Sequence, residues 1–343
     1  MSWKQTTQNS FADSLVVEHK SLSELDDVHN IINWVEIEQT LSNLYSSVRG
    51  APSYPPLMMF KILILQAWYN LSDEALEKQI ARDLMFRCFI NLSLSENVPD
   101  HSSIWRFRQL LNTEQLLEPL LKQINTHLER NSITVSLGSI NIIDATVIEA
   151  KQSRKRKGKD GNNTQDSEAS YNVKTAADGK RKTTYGFKAH ANVDEDGFVK
   201  KMTFTSGNVH DSQEFDKLPD CGRAKDKLKT CGEVYADSTY ANKTNDKKLG
   251  KQNNKVLHRA YRNTSLTQVQ KQENKQRSSI RYIVERTFGL LKLHHGLGKA
   301  RYLGLERNKT RAQLIAMSHN LKTGMNIFKE MQRLKSLRGY YIQ

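Results

Sequence analysis

Near the end of the chain, Arg277–Lys292 reads RSSIRYIVERTFGLLK, with one carboxylate, Glu285, among four cations. Read as a helix, Ile280, Val284, Thr287, Phe288 and Leu291 share an apolar stripe, and Arg281, Glu285, Gly289 and Lys292 share a second stripe roughly 100° away. A carboxylate in that setting fits two descriptions. It is an ordinary i, i+4 ion pair contributing a few tenths of a kcal/mol, or it is one of several acids that hold a divalent cation. The second description needs further carboxylates elsewhere. Asp144 follows Ile140 and Ile142 on one side of the β-branched stretch SINIIDATVIEA, and Asp237 closes the strand Glu233–Ala236 in CGEVYADSTYAN. Each also has a local reading, as a turn aspartate or as a helix N-cap. Brought together, three carboxylates repel and their pKa values rise, a penalty that Mg²⁺ or Mn²⁺ removes. Two such ions about 3.5–4 Å apart can activate a nucleophile and stabilise the leaving oxygen in an in-line phosphoryl displacement.

The elements that must position these residues change character along the chain. From about Asn33 to Asn131 the spacing predicts helices throughout. Pro55 and Pro56 open one that continues over Leu57–Tyr69. Ser72 caps a second, with Leu76, Ile80, Leu84 and Cys88 on one side. Asp100 or Ser102 caps a third, HSSIWRFRQLLN, which carries Trp105, Arg106 and Arg108, and TEQLLEPLLKQINTHLE makes a fourth. Two helices with a short connection and Arg on the second fit either a helix-turn-helix or plain packing in a bundle.

At Ser136 the period shortens to that of strands. Lys151–Lys182, rich in Lys and Gly with little to bury, is predicted to be a basic loop without structure. TYGFKAHANVDEDGFVKKMTFTSG reads as a hairpin turned by Asp-Glu-Asp-Gly. HDSQEFDKL starts a short helix capped by Asp211 or Ser212, and His210 before the cap is either local structure or catalytic. NKVLHRAY is a fifth short strand, and Lys309–Leu334 a closing helix.

From Ser136 the order is strand, basic loop, hairpin, short helix, strand, helix, strand, long helix, which is that of the ribonuclease H-like fold. The expected class is therefore α/β: an all-α region at 1–135, a ribonuclease H-like domain at 136–305 with a mixed five-stranded sheet flanked by helices, and a C-terminal helix at 306–343. In such a sheet the first and fourth strands are neighbours. Asp144 and Asp237 then face each other, with Glu285 reaching across from the long helix.

Composition narrows the partner. A net charge of +15 and a pI near 9.6, spread over 343 residues, call for an anion, with nucleic acid foremost. No membrane partner is expected, because the most apolar run, PPLMMFKILILQAWYNL, is broken by Lys61 and Gln66. The start of the chain has no basic-then-apolar leader. Cys88, Cys221 and Cys231 form no C-x-x-C pair, which opposes a disulfide framework or zinc knuckle and fits a reducing cytoplasm.

Several blocks, among them SFADSLV, YPPLMMFKILILQAWYNLSDEALEKQI, VPDHSSIWRFRQLL, IIDATVIEA, YGFKAHANVD, GNVHDSQEF, VYADSTYAN and RYIVERTFGLLK, resemble DDE transposases of bacterial insertion sequences, in the insertion-sequence-Five-like family. The resemblance runs over nearly the whole chain. It implies that Asp144, Asp237 and Glu285 are the catalytic, metal-holding carboxylates, and that Arg281 and Lys292 match the Arg and Lys of the signature R-x3-E-x6-K. The signature's Tyr three residues before the Arg is here Ser278, while Tyr282 follows the Arg.

The implied activity is Mg²⁺-dependent cleavage at the element's terminal inverted repeats, with Mn²⁺ able to substitute, and then attack of the freed 3′-OH ends on target DNA. Double-stranded DNA is thus the expected partner, held by a homodimer or larger assembly. Arg281, Lys292, Lys151, Arg154, Lys188, Arg106 and Arg108 are the expected DNA contacts. A nuclease on the same fold without strand transfer, or a copy retained only as a DNA-binding regulator, would share much of this pattern. The intact acidic triad opposes the second.

Overall fold

The computed structural model describes residues 11, 13–17, 19–44, 53–134, 140–151, 166–175, 179–219, 232–241, 247, 249, 252–261 and 264–340. The chain divides into two compact units, Met1–Val135 with Met317–Gln343, and Ser136–Ala316.

The first unit is helical: α1 (Asp26–Ile31), α2 (Trp34–Leu41), α3 (Pro56–Trp68), α4 (Asp73–Arg82), α5 (Leu84–Ile90), α6 (His101–Thr113) and α7 (Leu117–Arg130). Pro56 opens α3, which is apolar all round and correspondingly buried on every side, Lys61 and Gln66 included. Ser72 caps α4 by accepting from Ala75 N–H, and Asp100 caps α6 by accepting from Ser103 N–H. The single helix read through Leu76, Ile80, Leu84 and Cys88 is in fact two. Asp83 sits between them in an extended conformation (φ −110°, ψ 113°) and its side chain accepts from Met85 and Phe86 N–H. A new N-cap is stronger there than continued periodicity, and it turns Leu84 and Cys88 outward.

The second unit is built on a mixed five-stranded sheet: β1 (Ile140–Glu149), β2 (Ser170–Thr175), β3 (Arg181–Val193), β4 (Val199–Ser206) and β5 (Glu233–Ala236). The long strand β3 pairs antiparallel with β1 along one edge. Along its other edge it pairs with β4 over Phe187–Val193 and with β2 over Arg181–Gly186. β5 pairs parallel to β1, with Ile143 opposite Ala236. The five strands are not the five read from sequence. Part of the predicted basic loop is β2, which alternates polar residues with Tyr171 and Val173 and finds its partner in β3. NKVLHRAY contributes only an isolated bridge beside β5, where Lys255 and Leu257 N–H donate to Val234 and Ala236 O. β1 runs five residues past Asp144, so that aspartate lies mid-strand rather than at an end.

Where β3 passes from β4 to β2, Gly186 allows the strands to close up. A Cβ added there would lie 1.9 Å from Ile148 O and 2.8 Å from Ala150 N, both backbone atoms. At the β3–β4 turn, Gly197 takes φ +88°, and a Cβ would meet Thr287 Oγ1 at 2.9 Å. One face of the sheet carries Ile143, Val234 and Ala236, which bury with Phe215, Leu218, Tyr240, Leu249 and Val256.

Helix α8 (Gln268–His294) packs against β1, β3 and β5, and starts in a capping box of Thr267 and Gln270. The turn that follows it is held by Arg311 of α9 (Leu305–Tyr340), which donates to His295, Gly296 and Lys299 O. The division between the two units falls within α9.

Candidate active site

The parallel register sets the geometry. Ile143 and Ala236 are the last paired residues of β1 and β5, so Asp144 and Asp237 are the next residues on two adjacent strands, which run roughly 4.8 Å apart. With Ile142 opposite Tyr235, Asp144 follows on the same face as Ile142, and Asp237 on the same face as Tyr235. Asp237 is also an N-cap: its carboxylate accepts from Ser238 N–H at 2.7 Å and starts the short 3₁₀ turn Ser238–Tyr240. The local and functional readings of this residue therefore coexist.

α8 buries Val284, Thr287, Phe288 and Leu291, and leaves Arg281, Glu285 and Lys292 on another face, as the two-stripe reading of the sequence requires. Arg281 joins the acids. Its Nη1 lies 3.1 Å from Asp144 Oδ2, and its Nη2 donates to Glu285 Oε1. Arg281 Nε is buried with no acceptor, so the guanidinium is only partly satisfied where it sits. Burial raises the Asp144 carboxyl to about 6. The Ala145 N–H and Arg281 oppose the rise, and the charges of Asp237 and Glu285 add to it. Asp144 thus feels both other carboxylates.

The donor set is all carboxylate, which suits a hard divalent cation such as Mg²⁺ or Mn²⁺. Among the described residues no three acidic, His or Cys side chains are gathered closely enough to form a ready cage. The guanidinium stands between Asp144 and Glu285 and supplies the positive charge there.

The other expected contacts separate into surface and interior. Lys151 and Lys292 are exposed, as is Arg106 on α6. Arg154 lies outside the described residues. Lys188 is buried: its Nζ donates to Val209 O at 2.8 Å and pairs with Asp211 at 2.9 Å, bracing the chain after β4. Arg108 is 2 % exposed and bonds Asp73 and Gln66 across α3, α4 and α6. Both are corrections, since a cation so enclosed does not reach a phosphate. Helical spacing cannot reveal this for Arg108, because its partners lie 35 and 42 residues away. Arg108→Ala is expected to destabilise the chain by about 3 kcal/mol, because it strands the Asp73 carboxylate and Gln66. Chemical denaturation checks this, and a loss below about 1 kcal/mol would contradict it.

The short helix after β4 is a single 3₁₀ turn, Asp211–Gln213, and its cap is His210 rather than Asp211 or Ser212: His210 Nδ1 accepts from Ser212 N–H, with Ser212 Oγ close by. Tyr282 is exposed on α8. Sequence reasoning read Asp211 only as a candidate cap. Burial raises the Tyr240 phenol, and the charges of Asp211, Asp144 and Asp237 add to the rise, so Asp211 belongs to the same acidic neighbourhood. The available signal was the polar run GNVHDSQEF, in which Asp211 pairs with the buried Lys188.

Residues 13–110 match the family model described as Transposase domain (DUF772), and residues 136–321, more than half of the chain, match the one described as Transposase DDE domain. No solved structure matches the chain.

Proposed function

The chain belongs to the DDE transposases, and from that premise we propose that it cuts DNA at the terminal inverted repeats of an insertion sequence and joins the freed 3′-OH ends to target DNA. The catalytic residues are Asp144, Asp237 and Glu285, on a ribonuclease H-like domain. The observation that carries this assignment is the β1–β5 register, which sets the two aspartates side by side on the sheet while Arg281 links Asp144 to Glu285 of α8.

DDE transposases use divalent metals; here the three carboxylates would hold Mg²⁺, or Mn²⁺ in its place, which supplies Lewis-acid activation of the attacking oxygen and stabilisation of the leaving one. Asp144 and Asp237 fix the position of the reacting phosphodiester from rigid strands, and Glu285 closes the site from α8. Arg281 neutralises the acids in the metal-free protein and turns its guanidinium to a DNA phosphate when cation and substrate enter. Lys292, two turns after Glu285 on the same face, holds the backbone beyond it. One site serves both steps, since water attacks first and the DNA 3′-OH second.

The helical unit, which includes the exposed Arg106, binds and assembles the element's ends. Two ends held together call for a homodimer or larger complex. Its working compartment is the bacterial cytoplasm. No helix among the described residues is long and apolar enough to cross a membrane.

Incubation with end-containing DNA, a target plasmid and Mg²⁺ tests the reading. Joined products are the expected outcome. Cleavage without joining would make the chain a nuclease, and neither product would remove the assignment.

A further inference from the structure

Pairing of β1 with β3 stops at Glu149 opposite Gly186, yet β3 begins five residues earlier, at Arg181. Beyond Tyr185, whose carbonyl still accepts from Ala150 N–H, Arg181–Thr184 pair with β2, with Lys174 opposite Lys182 and Thr175 opposite Arg181. The result is a two-stranded ribbon extending from the main sheet. Its root is fixed, because the Tyr171 and Tyr185 rings lie 4.9 Å apart and the Tyr185 hydroxyl donates to Asp166 O at 2.5 Å. Towards its tip, Lys180, Arg181 and Lys182 are exposed.

Within Ser170–Tyr185 the sequence holds Lys174, Lys180, Arg181 and Lys182 against one carboxylate, Asp178. We propose that this ribbon is a second DNA contact, a basic arm that grips the phosphate backbone of a duplex away from the acidic residues. The inference rests on the reading of the chain as an enzyme that acts on DNA, and deepens it by naming where the duplex is held.

The dimensions suit that partner. The major groove, about 12 Å wide, admits a two-stranded ribbon. Asp144 is opposite Ala191 on β3, ten residues from Arg181. At about 3.3 Å per residue the arm lies roughly 30 Å along the strand from the acidic site. This is close to the 34–36 Å of one turn of B-DNA, so the arm reaches phosphates about a turn away from the bond being cut.

The test is duplex binding by the full chain against salt concentration, using mixed-sequence double-stranded DNA in EDTA, for the unmodified protein and a Lys180→Ala, Arg181→Ala, Lys182→Ala variant. Three lost phosphate contacts should lower the slope of log affinity against log salt by about 2–3, and weaken binding about 10- to 100-fold near 0.15 M salt. The melting temperature should be unchanged, because the substituted side chains are exposed. Equal affinity and slope in the two proteins would overturn the arm. So would a variant that changes only its oligomeric state, measured by light scattering, which would give the β2 edge to a second copy of the chain. If the unmodified protein binds no duplex at all, the DNA partner itself falls, and the arm with it.

Discussion

Asp144→Asn is expected to abolish DNA cleavage and, in the same preparation, to raise the melting temperature of the metal-free protein. Both effects come from one carboxyl. Its folded-state pKa, about 6, lies above the ordinary value of 3.8, with burial as the largest cause. The folded chain therefore binds this proton more tightly than the unfolded chain, and stability falls as pH rises through the window from about 4 to 6. Above that window the native protein carries the net cost of holding this carboxylate charged, on the order of 2–3 kcal/mol from a shift of this size. Asparagine keeps the shape and removes the charge, while Arg281 retains Glu285. In EDTA the variant should match the parent near pH 4 and gain several degrees over it above pH 6.

Activity should move the other way. Loss of a single electrostatic stabiliser costs about 10²–10³ in rate, and loss of a carboxylate that holds the cation should cost at least that much. DNA binding without metal should persist. A residue that trades stability for function behaves in this way. Cleavage at the parental rate, or a lower melting temperature in EDTA at pH 7.5, would falsify the assignment.

Gly186→Ala is expected to destabilise the second unit by about 4 kcal/mol or more, at the top of the range for single substitutions. The added methyl would sit 1.9 Å from Ile148 O, so β1 and β3 must separate where Glu149 is held. No flexible side chain can yield, because the nearest atoms are backbone. Gly289→Ala provides the contrast: a Cβ there meets nothing within 4 Å, and a helical Gly→Ala change stabilises by up to about 1 kcal/mol. Thermal scans of the two variants should move in opposite directions. A Gly186→Ala protein that melts with the parent would show that the strands tolerate the wider spacing.

The features legible in the sequence were those written at short range. The two stripes of α8, the caps Ser72, Asp100 and Asp237, and the turn ending in Gly197 follow from spacing or turn chemistry over a few residues. The adjacency of β1 and β5 followed from the order of elements. What could not be read was decided between distant segments. Tyr171 and Val173 stand in a polar stretch that becomes a strand only because β3 overshoots β1 and leaves backbone groups to pair. Arg108 and Lys188 look like surface cations until Asp73 and Asp211 are brought to them by tertiary packing. Asp83 shows a local limit as well: a polar residue in a helical period can end one helix and cap the next, and periodicity alone does not distinguish the two roles.

The helical unit draws on both extremes of the chain, Met1–Val135 and Met317–Gln343, while the sheet unit is a single uninterrupted stretch between them. A ribosome therefore delivers every residue of the acidic site before it delivers the last part of the helical unit. During synthesis the sheet can close first, and Ser318 and Asn320, which bond Ile64 O and Asn125 in the finished protein, arrive only afterwards. A chain released near residue 316 would carry Asp144 and Asp237 on a completed sheet and Glu285 on α8, with the helical unit unfinished.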